Sequence, residues 1–304
     1  MRTTANIGSG YLQTFLKKQV LENLEPNLYF AQYGKVSTMG DGYYTLSWPR
    51  AVQLTRTIAQ ATLTEGTVPS DTDITFSTIT TTPVQYGIYA KIPDILIKTS
   101  PTAIVKEAGD VIGANMARII DKVVQAELLN ATNVILPAGR ANRAAITSTD
   151  YMTAAMFSNA NTKLRSLNAK SVGMGCYYGF VHSLVAGDIR NTSSGLWLEA
   201  NKYTTNDTIL NGEVGKLSGI RFMETSNIDT ITSTTTVYPS FIIGKDAYGI
   251  ANWQNMETYY NPVGSGGSSD PLAQIATVGA KVAFAAKILD NNAIVRIESS
   301  ATTV

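Results

Sequence analysis

One long alternating segment limits the possible folds of this chain more than any motif does. Residues 43–92 read as two β-arms that fold back on each other near residues 66–71, where Gly, Pro, Ser and Asp can reverse the chain. The second arm alternates apolar and polar residues, as a half-buried strand does. Its apolar face is formed by Val84, Tyr86, Ile88, Ala90 and Ile92. Each arm has about 20 residues and could therefore reach about 60 Å.

A hairpin of this length is predicted to overhang its own domain. A compact chain of 304 residues has a diameter of about 50 Å, and an isolated two-stranded ribbon is barely stable in water. Some other surface must then cover the hairpin, and the simplest candidate is a second copy of the chain. In the alternative interpretation, Pro49, Pro69 and Pro83 divide the arms into short strands of one β-rich domain.

The low charge of the chain favours self-association. Charged residues make up 15% of the sequence and the formal net charge is +1, so copies of the chain repel one another weakly. A dedicated nucleic-acid binder would carry a strong basic excess, which this sequence lacks. The 44% hydrophobic content is enough for one large core or two small ones.

The longest predicted helix runs from Ser100 to about Asn130. Ser100 and Pro101 supply a capping hydroxyl and then proline at the first helical position. Thirty helical residues span about 45 Å, so this element is predicted to be a structural spine. The polar residues assigned to its outer side are Glu107, Arg118, Asp121 and Lys122.

Shorter periodic segments predict a mixture of helices and strands along the rest of the chain. Helices are predicted at 11–25, 150–168 and 184–191, strands at 175–181, 219–225, 238–244, 276–288 and 293–298, and loops at 191–211 and 262–271.

The sequence contains no convincing active site. Residues 212–216 resemble a phosphate-binding loop, but the segment is too short and has Leu217 where Ser or Thr should bind magnesium. Cys176 is predicted to be a buried small hydrophobe, and His182 a strand or helix-start residue. Together they cannot form a typical zinc site. We therefore predict no catalytic, cofactor-binding or metal-binding residues, and no enzyme activity.

Targeting signals are also missing from the sequence. No apolar run approaches the length of a membrane span, and residues 1–6 lack the apolar core of a signal peptide. We expect synthesis in a reducing, intracellular compartment and no membrane partner.

The order of the segments is more distinctive than any single motif. The hairpin turn Leu63-Thr64-Glu65-Gly66 precedes Val84-Gln85-Tyr86-Gly87-Ile88-Tyr89, and the spine contains Ala117-Arg118-Ile119-Ile120-Asp121. The chain closes with Thr277-Val278-Gly279-Ala280-Lys281 and Ala293-Ile294-Val295-Arg296-Ile297-Glu298. In this order the segments resemble a tailed-bacteriophage major capsid protein of the Hong Kong 97 fold. The sequence is most similar to the podovirus shells of the N-four type.

The resemblance implies an α+β fold and a division of labour along the chain. Residues 1–42 would be the N-terminal arm and residues 43–92 the extended E-loop. Residues 93–147 and 256–304 would form the peripheral domain, and residues 148–255 the axial domain around five-fold and six-fold positions. The E-loop would lie across the peripheral domain of the adjacent subunit.

The resemblance also implies function and partners. The chain would be a structural protein of the virion that forms the icosahedral head around double-stranded DNA, without sequence-specific binding. Its partners would be further copies in pentamers and hexamers, a separate scaffolding protein and a portal. A decoration protein is a further candidate, and the loops at 191–211 and 262–271 are its candidate attachment sites. Synthesis would take place in the cytoplasm of the bacterial host.

Two features depart from the prototype of this fold. The prototype's shell is locked by a covalent bond from an E-loop lysine, whereas residues 43–90 contain no lysine, so we expect no such crosslink. The arm is also too short to hold a built-in scaffolding segment, which is why a separate scaffolding protein is expected.

Aromatic residues and Arg are the usual anchors of protein interfaces, so most of the candidate interface residues are of these types. The residues expected to contact other subunits are Tyr11, Phe15, Tyr29 and Phe30 in the arm, and Trp48, Arg56, Glu65, Ile74 and Phe76 in the hairpin. In the alternative interpretation, half of them pack within their own subunit.

Three other functions remain open at this point. An encapsulin-type nanocompartment has the same fold and would enclose enzymes instead of a genome. A β-rich surface or adhesion protein would account for the Thr-rich strands, although the long helix and the missing signal peptide argue against it. A hydrolase or transferase is least favoured, because the usual nucleophile, base and metal sets are missing.

Overall fold

A computed structural model describes residues 16, 18, 20, 28–40, 42–51, 57–66, 68, 71, 73–99, 103–173, 175–192, 213–266 and 270–302. The helices are α1 (Ile58–Ala61), α2 (Asp94–Thr99), α3 (Ile104–Leu128), α4 (Ala154–Ser166) and α5 (Ser183–Thr192). The strands are β1 (Lys35–Thr38), β2 (Leu46–Ala51), β3 (Phe76–Thr81), β4 (Val84–Pro93), β5 (Val134–Ile135), β6 (Tyr177–His182), β7 (Glu213–Leu217), β8 (Ile220–Thr225), β9 (Ile231–Thr232), β10 (Thr236–Ile243), β11 (Tyr248–Asn261), β12 (Ile275–Ile288) and β13 (Ile294–Ser299).

A four-stranded sheet in the order β1-β11-β12-β4 packs against α3. β1 runs parallel to β11, and the other pairs are antiparallel. The alternation predicted for 84–92 is confirmed from Tyr86 onward: Tyr86, Ile88, Ala90 and Ile92 pack against the core, while Gln85, Tyr89 and Lys91 are exposed. Val84, assigned to the apolar face, is exposed because it stands at the start of the strand, outside the core. One face of β4 therefore holds the spine helix, and the other is free in the single chain.

The spine helix α3 is confirmed, with two corrections. It begins at Ile104, with Ala103 as its N-cap and no side-chain cap, later than the Ser100 signal predicts. Asp121 was predicted to lie on the outer side, and this is wrong because its side chain is completely buried. Its spacing explains the burial: Asp121 lies four residues after buried Ala117 and three before buried Val124, so the helix turns all three toward the core.

A seven-stranded sheet forms the second layer. Its order is β5-β13-β10-β6-β8-β7, and β9 pairs with β10. Helices α4 and α5 cover one face through residues such as Phe157 and Val185. The opposite face joins the α3 core through Phe180 and Phe241. The sheet is thus buried on both sides. β13, which lies in the segment expected to be peripheral, pairs here with β10 and β5.

The hairpin is shorter than the sequence predicts. Its described ladder joins β2 to β3 over six residue pairs, from Leu46–Thr81 to Ala51–Phe76. The prediction that β4 is the second arm is wrong, because β4 pairs along its whole length with β12. The apolar face of β4 explains this outcome, since only the sheet beside α3 can bury it, whereas a two-stranded ribbon cannot.

Most of the remaining predicted elements are confirmed with shifted ends. The strands β6, β8, β10, β12 and β13 and the helix α5 lie where the sequence indicates, and α4 is shorter than the predicted 150–168. Of the predicted helix 11–25, only Leu16, Lys18 and Val20 are described, and all three are helical. Most of the predicted loop 191–211 lies outside the described residues.

Candidate subunit interface

The hairpin tip, residues 57–75, exposes several large apolar side chains. The described ones are Ile58, Leu63, Val68 and Ile74, and Phe76 at the start of β3 is exposed beside them. Val68 is 91% exposed and Ile58 is 89% exposed. Contiguous exposed apolar side chains mark interaction surfaces, because their contact with water is unfavourable. The tip therefore leaves apolar surface in contact with water in the single chain.

The hairpin root, formed by β2 and β3, is anchored to its own subunit by Trp48. Its ring packs in a small apolar cluster with Ala251, Ala285 and Leu289, and only 8% of the residue is exposed. Its indole Nε1–H donates a hydrogen bond of 3.0 Å to Ser37 Oγ. The ring lies close to Gly249, where an added Cβ would come within 3.0 Å of Trp48 Cζ2. A larger residue at position 249 would therefore displace the anchor.

A second anchor of the root is the guanidinium of Arg50. It donates to the backbone oxygen of Leu289 at 3.2 Å and to Asp290 Oδ2 at 2.9 Å. Both acceptors lie in the turn between β12 and β13. The two anchors hold the root while leaving the tip uncovered.

The N-terminal arm packs on the spine helix. The described arm residues Leu16 and Val20 are buried, and their side chains lie over Gly109 of α3. A Cβ at position 109 would stand 3.3 Å from Leu16 Cδ2. Glycine at this position lets the arm approach the helix backbone closely.

Further along the arm, the carboxylate of Asp121 holds residues 29–31. It accepts hydrogen bonds from the backbone N–H groups of Tyr29 (2.7 Å), Phe30 (3.1 Å) and Ala31 (3.3 Å). Burial raises the pKa of Asp121 from its ordinary 3.8 to about 6, and the three N–H donors act in the opposite direction. The arm and the spine are thus joined by a buried acid.

The ring of Phe30 fills the space between the two sheets. It lies 4.6 Å from the ring centre of Phe180 and 5.8 Å from that of Phe241, both in the seven-stranded sheet. The hydroxyl of Tyr248, from the four-stranded sheet, donates to the backbone oxygen of Phe30. Burial raises the pKa of Tyr248, so this hydroxyl stays protonated.

A buried charge cluster forms around Glu298 on β13 of the seven-stranded sheet. Glu298 is 1% exposed and accepts two hydrogen bonds from Arg143, at 2.8 Å and 2.5 Å. The Nε of Arg296 lies 2.8 Å from Glu298 Oε1, and the same guanidinium donates to the backbone oxygen of Leu129. The pKa of Arg143 is raised by its hydrogen bond to Glu298.

The predicted interface residues fall into three groups. Glu65, Ile74 and Phe76 are exposed on the hairpin. Phe30 and Trp48 are buried within the chain, and Tyr29 is half-buried, as the alternative interpretation anticipated for part of the set. Tyr11, Phe15 and Arg56 lie outside the described residues. The interface role of the set stays a prediction.

The residues considered for chemistry have structural surroundings. Cys176 is buried, as predicted. His182 ends β6, and its Nδ1 accepts the backbone N–H of Leu184 at the start of α5, so the predicted helix-start role is confirmed. Burial lowers the pKa of His182. Among the described residues, no three His, Cys, Asp or Glu side chains are grouped to hold a metal ion.

A helix must be both long and apolar to cross a membrane, and the described helices differ from this. None of them combines the length and apolar character needed to cross a bilayer.

No known family profile matches this chain, and no curated protein matches its sequence.

Comparison of the fold with solved structures gives extensive matches. The capsid of Ralstonia phage GP4 superposes with a TM-score of 0.72 at 12% identity, covering 91% of this chain and 92% of the phage chain. The capsid of cyanophage P-SCSP1u gives a TM-score of 0.68 at 13% identity, covering 90% and 89% of the two chains. A virus-like particle from Pyrococcus furiosus gives 0.57 at 9% identity, covering 94% and 99%.

Each of these matches covers at least 90% of this chain, at 13% identity or less. A structural likeness at such low sequence identity shows a shared fold. The chain has the Hong Kong 97-type fold of tailed-phage capsid proteins over about nine-tenths of its length.

Proposed function

We propose that this chain is the major capsid protein of a tailed bacteriophage, and that many copies of it form the icosahedral head around double-stranded DNA. The observation that carries the proposal is the likeness to phage capsids over about nine-tenths of both chains. The exposed apolar side chains of the hairpin tip support the proposal, because they fit contacts between copies of the chain. The proposed role of the chain is structural and not catalytic.

The physical basis of assembly is the contrast between the anchored root and the uncovered tip of the hairpin. Trp48 and Arg50 hold the root on its own subunit, whereas Val68 and Leu63 expose their side chains to water. Covering each such side chain on a neighbour contributes about 1.5–3 kcal/mol. Repetition over many subunits turns weak contacts into a closed shell, and the net charge of +1 opposes this little.

The division of the chain follows the same proposal. The arm and the hairpin would reach neighbouring subunits, and the four-stranded sheet with α3 would form the peripheral domain. The seven-stranded sheet with α4 and α5 would form the axial domain at five-fold and six-fold positions. β4 belongs with the peripheral sheet in this scheme, because it pairs with β12.

The remaining partners follow from the assembly task. A separate scaffolding protein would set the shell size, and a portal would occupy one vertex. A decoration protein would attach at 191–211 or 262–271. The packaged DNA would be contained without sequence-specific binding, and the mature location would be the virion, after synthesis in the host cytoplasm. The podovirus subgroup is part of the proposal.

The decisive experiment is negative-stain electron microscopy of the native assembly, with nuclease protection on the same fraction. Closed icosahedral particles that protect DNA are expected. A monodisperse monomer or small oligomer, even with phage partner proteins supplied, would refute the proposal. A denaturing gel of the same particles should show monomer, since residues 43–90 contain no lysine; a covalent ladder would contradict that expectation.

A protein nanocompartment is the second candidate, because the virus-like particle from Pyrococcus furiosus shares the fold over 94% of this chain. Its TM-score of 0.57 is lower than the 0.72 of the first phage capsid. Particles that contain protein cargo and no nuclease-protected DNA would favour this candidate.

A further inference from the structure

A cleft of about 540 Å³ opens beside the hairpin root. Its apolar wall is formed by Trp48 and Ile79 from the root, with Leu289 and Leu167. Five parts of the chain meet here: the hairpin root, β1, the segments that follow α4 and β10, and the turn between β12 and β13. The volume is within the range of pockets that bind small ligands or short peptide segments.

The rim of this cleft is basic. Lys35, Lys170 and Lys245 line it, and all three are exposed, as is one carboxylate of the rim, that of Asp246. In the part of the chain that the structure describes, none of these ammonium groups has a carboxylate partner. The fourth cation, Arg50, is already paired with Asp290. We call this site the basic cleft.

The backbone holds two of the lysines next to each other. The N–H of Lys245 donates to the backbone oxygen of Lys170 at 2.9 Å. The bond joins the segment after α4 to the β10–β11 corner, so neither lysine can leave the rim without breaking it. Lysines on one rim repel each other through their charges, and a bound anion relieves this repulsion. The arrangement therefore favours an acidic ligand with apolar side chains.

The hairpin tip has the complementary character. Residues 57–75 contain three acidic residues, Glu65, Asp71 and Asp73, and no basic residue. All three are exposed, and within the described part of the hairpin none forms an ion pair. The exposed apolar side chains of Leu63, Val68 and Ile74 lie in the same segment. The tip thus combines negative charge with apolar surface, as the cleft combines positive charge with an apolar wall.

We propose that the acidic hairpin tip of one copy binds in the basic cleft of a neighbouring copy. In the single chain no described residue of the tip lines the cleft, so the cleft is open to the tip of another copy. Duplex DNA is a poor occupant, because a rigid double helix can touch the rim lysines but cannot enter the cleft. The inference rests on the proposed self-assembly and specifies the surface that receives the hairpin.

Charge reversal tests the pairing. The variant Lys170→Glu/Lys245→Glu should lower the yield of closed particles at least tenfold, and Asp71→Lys/Asp73→Lys should do the same. Combining all four changes should restore most of the yield, because attraction returns with opposite signs. The matched control Lys163→Glu, on α4 outside the cleft, should assemble like the wild type. Thermal melting of each variant subunit should stay near the wild-type value, since all four residues are exposed.

Disulfide trapping gives an independent measurement. A chain with Asp73→Cys and Lys245→Cys should form multimers on a non-reducing gel after oxidation of particles, and each single-cysteine variant should stay monomeric. The native Cys176 is buried and should not react.

The outcomes separate this inference from the function. If wild-type particles form but charge reversal has no effect, the pairing is overturned and the capsid proposal stands. The same holds if oxidation of the double-cysteine particles gives no multimers. Loss of assembly that the four-fold variant does not restore, accompanied by loss of protected DNA or of a scaffolding protein, would assign the cleft to that partner instead. Failure of the wild type to form particles would refute the capsid proposal itself.

Discussion

Asp121 on the spine helix accepts the backbone N–H of Phe30, 91 positions earlier in the chain, at 3.1 Å. The same carboxylate accepts the N–H groups of Tyr29 and Ala31. Phe30 in turn packs against Phe180 of the seven-stranded sheet, and its backbone oxygen accepts the hydroxyl of Tyr248. One arm residue therefore contacts the spine and both sheets, and Asp121 fixes its position.

Replacing Asp121 by Ala should destabilise the subunit by at least about 2 kcal/mol. Three backbone N–H groups lose their acceptor, and each buried unsatisfied group costs about 1–3 kcal/mol. The free energy of unfolding in guanidinium measures the effect. Glu107→Ala, exposed on the first turn of the same helix, should cost less than about 1 kcal/mol. An equal loss in both variants would contradict the anchoring role.

The same carboxyl should make stability depend on pH between about 6 and 4. Its pKa in the folded chain, about 6, lies above its ordinary 3.8, so the folded state binds the proton more tightly. Asp121 therefore adds stability as pH falls through 6, and this contribution is lost as pH rises through 6. A shift of this size corresponds to up to about 3 kcal/mol. Unfolding curves of the wild type should move relative to Asp121→Asn between pH 7.5 and 4.5, and parallel behaviour would refute this.

Removing the buried acid of the charge cluster should be more harmful than breaking an exposed pair. Glu298→Ala leaves Arg143 and Arg296 without their counter-charge, and breaking a buried pair costs about 3–5 kcal/mol. Glu224→Ala breaks the pair with Arg190, whose side chain is 44% exposed, and should cost at most about 1 kcal/mol. Chemical denaturation of both variants gives the comparison. Similar losses of unfolding free energy in the two variants would mean that the cluster does not depend on Glu298.

Trp48→Ala should release the hairpin root. Truncation of a buried tryptophan costs about 3–5 kcal/mol, and here the loss falls on a small cluster with Ala251 and Leu289. Limited proteolysis should therefore cut within residues 46–81 faster than in the wild type. Trp48→Phe keeps most of the packing and loses only the bond to Ser37, so its cleavage rate should be close to wild type. Unchanged cleavage of the Ala variant would place the anchor elsewhere.

Val68→Asp should impair assembly without affecting the fold. The side chain is 91% exposed in the single chain, so the melting temperature of the subunit should stay unchanged. Loss of one buried valine at an interface corresponds to about 1.5–3 kcal/mol, which raises the subunit concentration needed for assembly about tenfold or more. Light scattering during assembly measures this concentration. Val68→Ile should assemble normally; normal assembly of the Asp variant would exclude Val68 from the interface.

Local periodicity was sufficient to predict much of the fold. The spine, α5 and the strands β6, β8, β10, β12 and β13 follow from alternation and helical spacing, because each buries one regular face. Segment order then identified the fold class. The exposed tip was also predictable, since its Gly, Pro and acidic residues indicate a turn that a compact core cannot bury.

Strand partners were harder to predict, because pairing depends on distant surfaces. The alternation of β4 is the same whether it pairs with the hairpin or with β12. The position of α3 determines which partner β4 pairs with, because Ile88 and Ile92 pack in the apolar core that contains this helix. The missed role of Asp121 has a similar cause: its helical spacing pointed inward, but its partners are backbone groups of the arm, which carry no residue-specific signal.

The position of β13 has a consequence for synthesis. This strand, Ile294–Ser299, lies between β10 and β5 in the seven-stranded sheet, so the sheet cannot close until residue 299 has left the ribosome. Nascent chains would keep the apolar edge of β10 open until that moment.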